Sequence, residues 1–137
     1  MAVIPIEPPP SRHAAAQRNA ILALGFRPFF LLAGLAAVAL VALWMLAWMG
    51  RLPVAGAYYG TVGWHSHEML FGYAAAVIAG FLLTAVRNWT GLDTPAGLPL
   101  AGLALLWLAG RVAALLPLPG WIVAAVDFAF LPLGAIA

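Results

Sequence analysis

Trp64-His65-Ser66-His67-Glu68-Met69 gathers two of the three histidines and one of the four acids of this 137-residue chain. Neutral imidazole is a good ligand for metal ions and for haem iron, so His65 and His67 are the candidate metal ligands. Their spacing constrains how they could act. On a helix, residues two apart lie about 200° apart around the axis and share no face. In an extended segment they point the same way and could hold one ion. At a helix start they would divide the work, one facing the bundle and one facing solvent. A helix N-terminus disfavours imidazolium and keeps a lone pair available. Glu68 in the first turn could then orient an imidazole as an acceptor. The plain alternative is a polar anchor at a helix end, beside Trp64.

Two further ionisable residues, Arg111 and Asp127, interrupt apolar runs, and such residues inside a membrane segment are paired or functional by default. Both stand eight residues from Pro119, so an antiparallel hairpin turning there sets them at similar depth. Three roles stay open for Arg111: an ion pair with Asp127, snorkelling to the interface, or contact with an anionic cofactor group such as a haem propionate. His13 lies in a polar tail and reads as an ordinary solvated residue. Gly25-Phe26-Arg27-Pro28-Phe29-Phe30 reads as a positively charged anchor with an aromatic belt.

The elements that must position these residues are helices in lipid. An apolar run from Phe29 to Met49 spans roughly 30 Å at 1.5 Å per residue, one bilayer core. It is too long for the core of a signal peptide and reads as a retained anchor. Further runs place helices at about 68–86, 98–116 and 121–137. Gly72, Ala76 and Gly80, four residues apart, form a stripe that admits a close helix neighbour. Pro117-Leu118-Pro119-Gly120 is a tight turn. Residues 1–20, with Pro8-Pro9-Pro10, read as a disordered cytoplasmic tail, and 21–137 as one transmembrane domain. The last run reaches Ala137 without a charged flank, which leads to the expectation of a fragment of a larger bundle.

Composition excludes most other classes. The chain is 66% hydrophobic and 7% charged, with a mean hydropathy of +1.05. A soluble domain needs roughly a quarter of its residues charged, so the outside of this chain must face lipid. A net charge of +2 is too small for a nucleic-acid partner. With no cysteine, disulfides, thiolate metal sites and covalent haem attachment are excluded, so any haem is b-type and non-covalent. The arginines set the orientation: Arg12, Arg18, Arg27 and Arg87 lie inside if the N-terminus is cytoplasmic, and Arg51 and Arg111 outside. The fold class expected is therefore all-α, a polytopic integral membrane helix bundle of about four transmembrane helices, N-terminus in.

Three ordered blocks carry a family resemblance. They are Gly25-Phe26-Arg27-Pro28-Phe29-Phe30, Trp64-His65-Ser66-His67-Glu68-Met69-Leu70-Phe71-Gly72, and Gly80-Phe81-Leu82-Leu83-Thr84-Ala85-Val86-Arg87-Asn88-Trp89-Thr90-Gly91. Together with Trp107-Leu108-Ala109-Gly110-Arg111, they resemble the NnrS family over about residues 20–115. Ser66 stands where the family usually has Ala, and Arg87 where it commonly has Pro. The resemblance implies a haem- and copper-containing protein of the bacterial inner membrane, tied to nitric oxide metabolism, nitrosative stress and denitrification. It implies about a dozen helices, of which this chain is the N-terminal third, completed by missing C-terminal helices or another membrane subunit. His65 and His67 would then bind metal, with Glu68 and Arg111 as cofactor-binding residues. A membrane transporter segment for a metal or small solute, lined by Arg111, Asp127 and His67, and a purely structural subunit are the alternatives.

Overall fold

A computed structural model describes residues 17–52 and 59–136. His13 and the proline-rich part of the tail lie outside the described residues. A short 3-10 helix, Gln17–Ala23, leads into four helices. They are α1 (Phe26–Trp48), α2 (Gly60–Thr90), α3 (Leu98–Leu115) and α4 (Gly120–Ala135). No strand occurs among the described residues, and α1, α2 and α3 are each long and apolar enough to cross a membrane. In hydrocarbon only a helix satisfies its own backbone polar groups, which is why the runs take this form.

Helices α1 and α2 are antiparallel neighbours, and the small-residue stripe is the reason they approach so closely. A Cβ added at Gly80 would stand 3.0 Å from Phe29 Cβ, and one at Gly72 would stand 3.1 Å from Leu40 Cδ1. Ala76 between them is fully buried, as is Phe29. The facing stripe on α1 is Phe29, Ala33, Ala36 and Leu40, the helical repeat of a packed face. Leu35, Val38, Leu105 and Phe128 point outward instead, giving the apolar exterior that the composition demands.

Helices α3 and α4 form the second pair. Leu116, extended before Pro117, ends α3, because a residue preceding proline is pushed out of the helical region. Pro119 then caps α4. The two pairs meet where Phe29 of α1 packs on Phe130 of α4, ring centroids 5.8 Å apart. At the far end of α2, Gly91 takes φ +72 and its N–H donates to Arg87 O, a left-handed cap that glycine adopts without Cβ strain. The Gly97 N–H donates to Leu22 O, tying the start of α3 to the 3-10 segment.

Two features depart from the apolar runs. Helix α2 starts at Gly60, well ahead of the run placed at about 68–86, because its polar first turns pack against other elements instead of fraying. Within α2, Glu68–Ala74 winds as a π-helix. Such turns are rare, and they cluster at functional sites.

Candidate functional site

His67, Glu68, Arg111 and Asp127 form a closed ring of charged and polar side chains at the centre of the bundle. The His67 Nδ1–H donates to Glu68 Oε1 at 3.0 Å, and His67 Nε2 lies 2.9 Å from Asp127 Oδ2. Arg111 Nε lies 3.0 Å from Glu68 Oε2, an ion pair by distance whose N–H does not point along the contact. Arg111 Nη2 donates to Asp127 Oδ1 and closes the ring. Glu68 is 0% exposed, Arg111 6% and Asp127 7%. Two carboxylates are thus matched by one guanidinium and one imidazole, which is how charge is tolerated at this depth.

Each member has its element. Arg111 and Trp107 are one turn apart on α3, and the Arg111 guanidinium lies 5.6 Å from the Trp107 ring centroid. Asp127 on α4 fits because Gly110 opposite it has no side chain: a Cβ there would collide with Asp127 Oδ1. On α2, a Cβ at Gly72 would meet Glu68 Oε2 at 3.0 Å and Arg111 Cδ at 3.3 Å. Glycines therefore stand where the ring is tightest on both sides.

The two histidines are not brought together. The segment is helical, so the extended arrangement that would aim both at one ion is not adopted. His65 stacks on Trp44 of α1, centroids 4.3 Å apart, while His67 stacks between Tyr59 and Phe71 and reaches α4 through Asp127. The helix sends them to different neighbours, as the 200° separation requires, but neither faces solvent, since both are partly buried. Because α2 begins at Gly60, His67 also lies beyond the first turn, where the dipole of a helix N-terminus fades. The His65 Nδ1 atom is buried and has no hydrogen-bond partner, and neither has Arg111 Nη1.

Matched depth had paired Arg111 with Asp127, and the structure makes that pair, so Arg111 does not snorkel to the surface. Sequence reasoning missed the contacts of Glu68 with Arg111 and of His67 with Asp127. The available signal was spacing: Glu68 with Gly72, and Trp107 with Arg111, are each four apart and share a helix face. An apolar cavity of about 800 Å³ lies between α2 and α4, lined among others by Leu70, Ala75, Leu82 and Phe130. None of the four ring residues lines it, so it is not a path past them.

No curated protein and no solved structure matches the chain. The family model described as NnrS protein matches residues 20–137, which takes in all four helices and every residue of the ring. The chain belongs to the NnrS protein family.

Proposed function

We propose that this chain is part of a haem- and copper-associated membrane protein of the nitric oxide response, with His65 and His67 as metal ligands. Family membership supports the reading, and one observation carries it: the buried His65 Nδ1 has no partner, while its ring is fixed by stacking on Trp44. A buried nitrogen left unpaired costs free energy, and a metal ion is one group that satisfies it. His67 differs. Its ligand role requires Asp127 to release Nε2, leaving Nδ1–H on Glu68, the carboxylate contact that orients a metal-bound imidazole. Arg111 Nη1 is the guanidinium nitrogen left for a haem propionate. Haem iron or copper, if held there, would supply a metal able to bind nitric oxide. This chain's residues orient the imidazoles and keep water out. Among the described residues no group of three or more His, Cys, Asp and Glu is arranged to hold a metal ion, so the remaining ligands come from outside them.

The test is metal and haem content in the full-length protein. His65→Ala and His67→Ala should each lower bound haem or copper while membrane insertion stays normal, and His13→Ala should change neither. Full content in the His65→Ala/His67→Ala double variant would overturn the assignment. A second reading is favoured by the closure of the ring itself: the four residues act only as a structural lock between helix pairs. A purified protein without a haem Soret band, yet destabilised by ring substitutions, would select it.

The proposed setting is a bacterial inner membrane with the N-terminus cytoplasmic. Burial removes Arg111 from the flank count, so Arg12, Arg18, Arg27 and Arg87 stand against Arg51 alone. A reporter fused after Asn88 should read cytoplasmic, and one fused near Ala57 periplasmic. The reverse pattern would place the histidines on the cytoplasmic side.

A further inference from the structure

Trp107 stands beside the ring without belonging to it, next to Arg111 and bonded to the α2 backbone just beyond Glu68. Its side chain is 3% exposed on α3, with the indole ring beside the Arg111 guanidinium. Its Nε1–H donates to two carbonyls of α2, Phe71 O at 3.2 Å and Gly72 O at 3.1 Å. Both lie inside the π-helical segment Glu68–Ala74. Widening a helix from i→i+4 to i→i+5 hydrogen bonds disturbs the carbonyl ladder, and a carbonyl without a donor in hydrocarbon costs several kcal/mol. At the end of the segment the Ala75 N–H reaches Leu70 O and Gly72 O and passes over Phe71 O between them, and the indole N–H reaches Phe71 O as well as Gly72 O.

The π segment also sets where the N-terminal part of α2 points. It accommodates an extra residue relative to an α-helix, and one residue corresponds to about 100° of rotation. If the segment rewound as α-helix, everything before it would turn by about that angle relative to α1 and α4. His67 and Glu68 sit at the edge of the segment, so this turn would carry them away from Asp127 and Arg111. Trp64, which is fully buried, and His65 on Trp44 would leave their places as well.

We infer that Trp107 is a positioning residue: its N–H holds α2 in the π register that aims His67 and Glu68 at Arg111 and Asp127. The inference rests on the proposed ligand reading only for the consequence at His65 and His67, since the ring geometry stands without a metal. Because Trp107 also fills the core, the test must separate its N–H from its bulk. Replacing it by 3-benzothienylalanine keeps the fused ring, and the neighbour of Arg111, while removing only the donor. Trp107→Phe is the simpler companion variant.

The readout is a double-mutant cycle with Glu68→Gln, followed by thermal unfolding of the full-length protein in detergent. In the unmodified protein Glu68→Gln should lower Tm, because Arg111 and His67 lose the carboxyl group both contact. In the 3-benzothienylalanine background the same change should cost less than about half as much, because Glu68 has already left the ring. The Trp107→Phe background should reduce that cost in the same direction. Additive losses in the 3-benzothienylalanine background would overturn the inference and make Trp107 a packing residue only. Neither arm measures haem or copper, so that result would leave the ligand assignment standing. Conversely, loss of the ligand assignment would leave this cycle readable.

Discussion

Arg111→Leu should lower the stability of the protein by about 3–5 kcal/mol, the loss met when one side of a buried ion pair is removed. Glu68 and Asp127 would then share the His67 imidazole as their remaining partner, and one carboxylate charge would stay unmatched at a buried site. Thermal unfolding in detergent would read the effect. The double variant Arg111→Leu/Asp127→Leu should recover part of the loss, since Glu68 and His67 can still pair with each other. Recovery should stop short of complete, because Glu68 keeps only one of its two contacts. Simple addition of the two single effects would show that Arg111 and Asp127 are not partners, and would move weight to a cofactor role for Arg111.

A glycine pair on α3 gives the second large effect, with opposite signs at its two positions. Gly110→Ala places a methyl group against Asp127 Oδ1, where there is no room, so Asp127 must leave Arg111 or α4 must move outward. Overpacking of this kind costs about 1–3 kcal/mol, and here it also breaks the ring. Gly102, two turns earlier on the same helix, has nothing within 4 Å of an added Cβ and is exposed. Gly102→Ala should therefore raise stability by about 0.5–1 kcal/mol through helix propensity alone. Equal effects at the two sites, measured by Tm, would mean that α3 does not pack against Asp127 as described.

The two effects expose a common design. The ring demands that three helices approach within side-chain reach of one another, and the glycines at 72 and 110 provide the space. The same ring explains how α2 stays helical through Trp64-His65-Ser66-His67, a stretch with little apolar character. His67 and Glu68 are tied to α3 and α4, and Trp64 is fully buried, so these turns are held by tertiary contacts. His65 is held by stacking on Trp44 of α1 and keeps a buried nitrogen with no hydrogen-bond partner. An imidazole nitrogen, unlike the Trp64 indole N–H, has a lone pair to offer a metal, which is why the functional proposal centres on His65.

Lipid and local geometry account for what can be read from the chain before it folds. Long apolar runs must be helices in hydrocarbon, so the class of fold and the rough positions of its helices followed from composition and run length. That α2 has a close neighbour was legible in the four-residue spacing of Gly72, Ala76 and Gly80, because small side chains recurring on one face admit one, though the spacing did not say that the neighbour is α1. The Arg111–Asp127 pair was legible from equal distances to the turn at Pro119, since an antiparallel hairpin preserves depth. The ordered blocks from Gly25 to Arg111 carried the family. Packing between helices set the start of α2 at Gly60, because polar turns remain helical only when other elements hold them. The same packing decided that the two histidines face different helices, since a His-x-His pattern fits either a strand or a helix and the choice depends on what packs around it. The π register of Glu68–Ala74 was likewise hidden. A π turn has no spacing signature of its own: it is fixed by a donor thirty-five residues away, Trp107, and by the space left at Gly72.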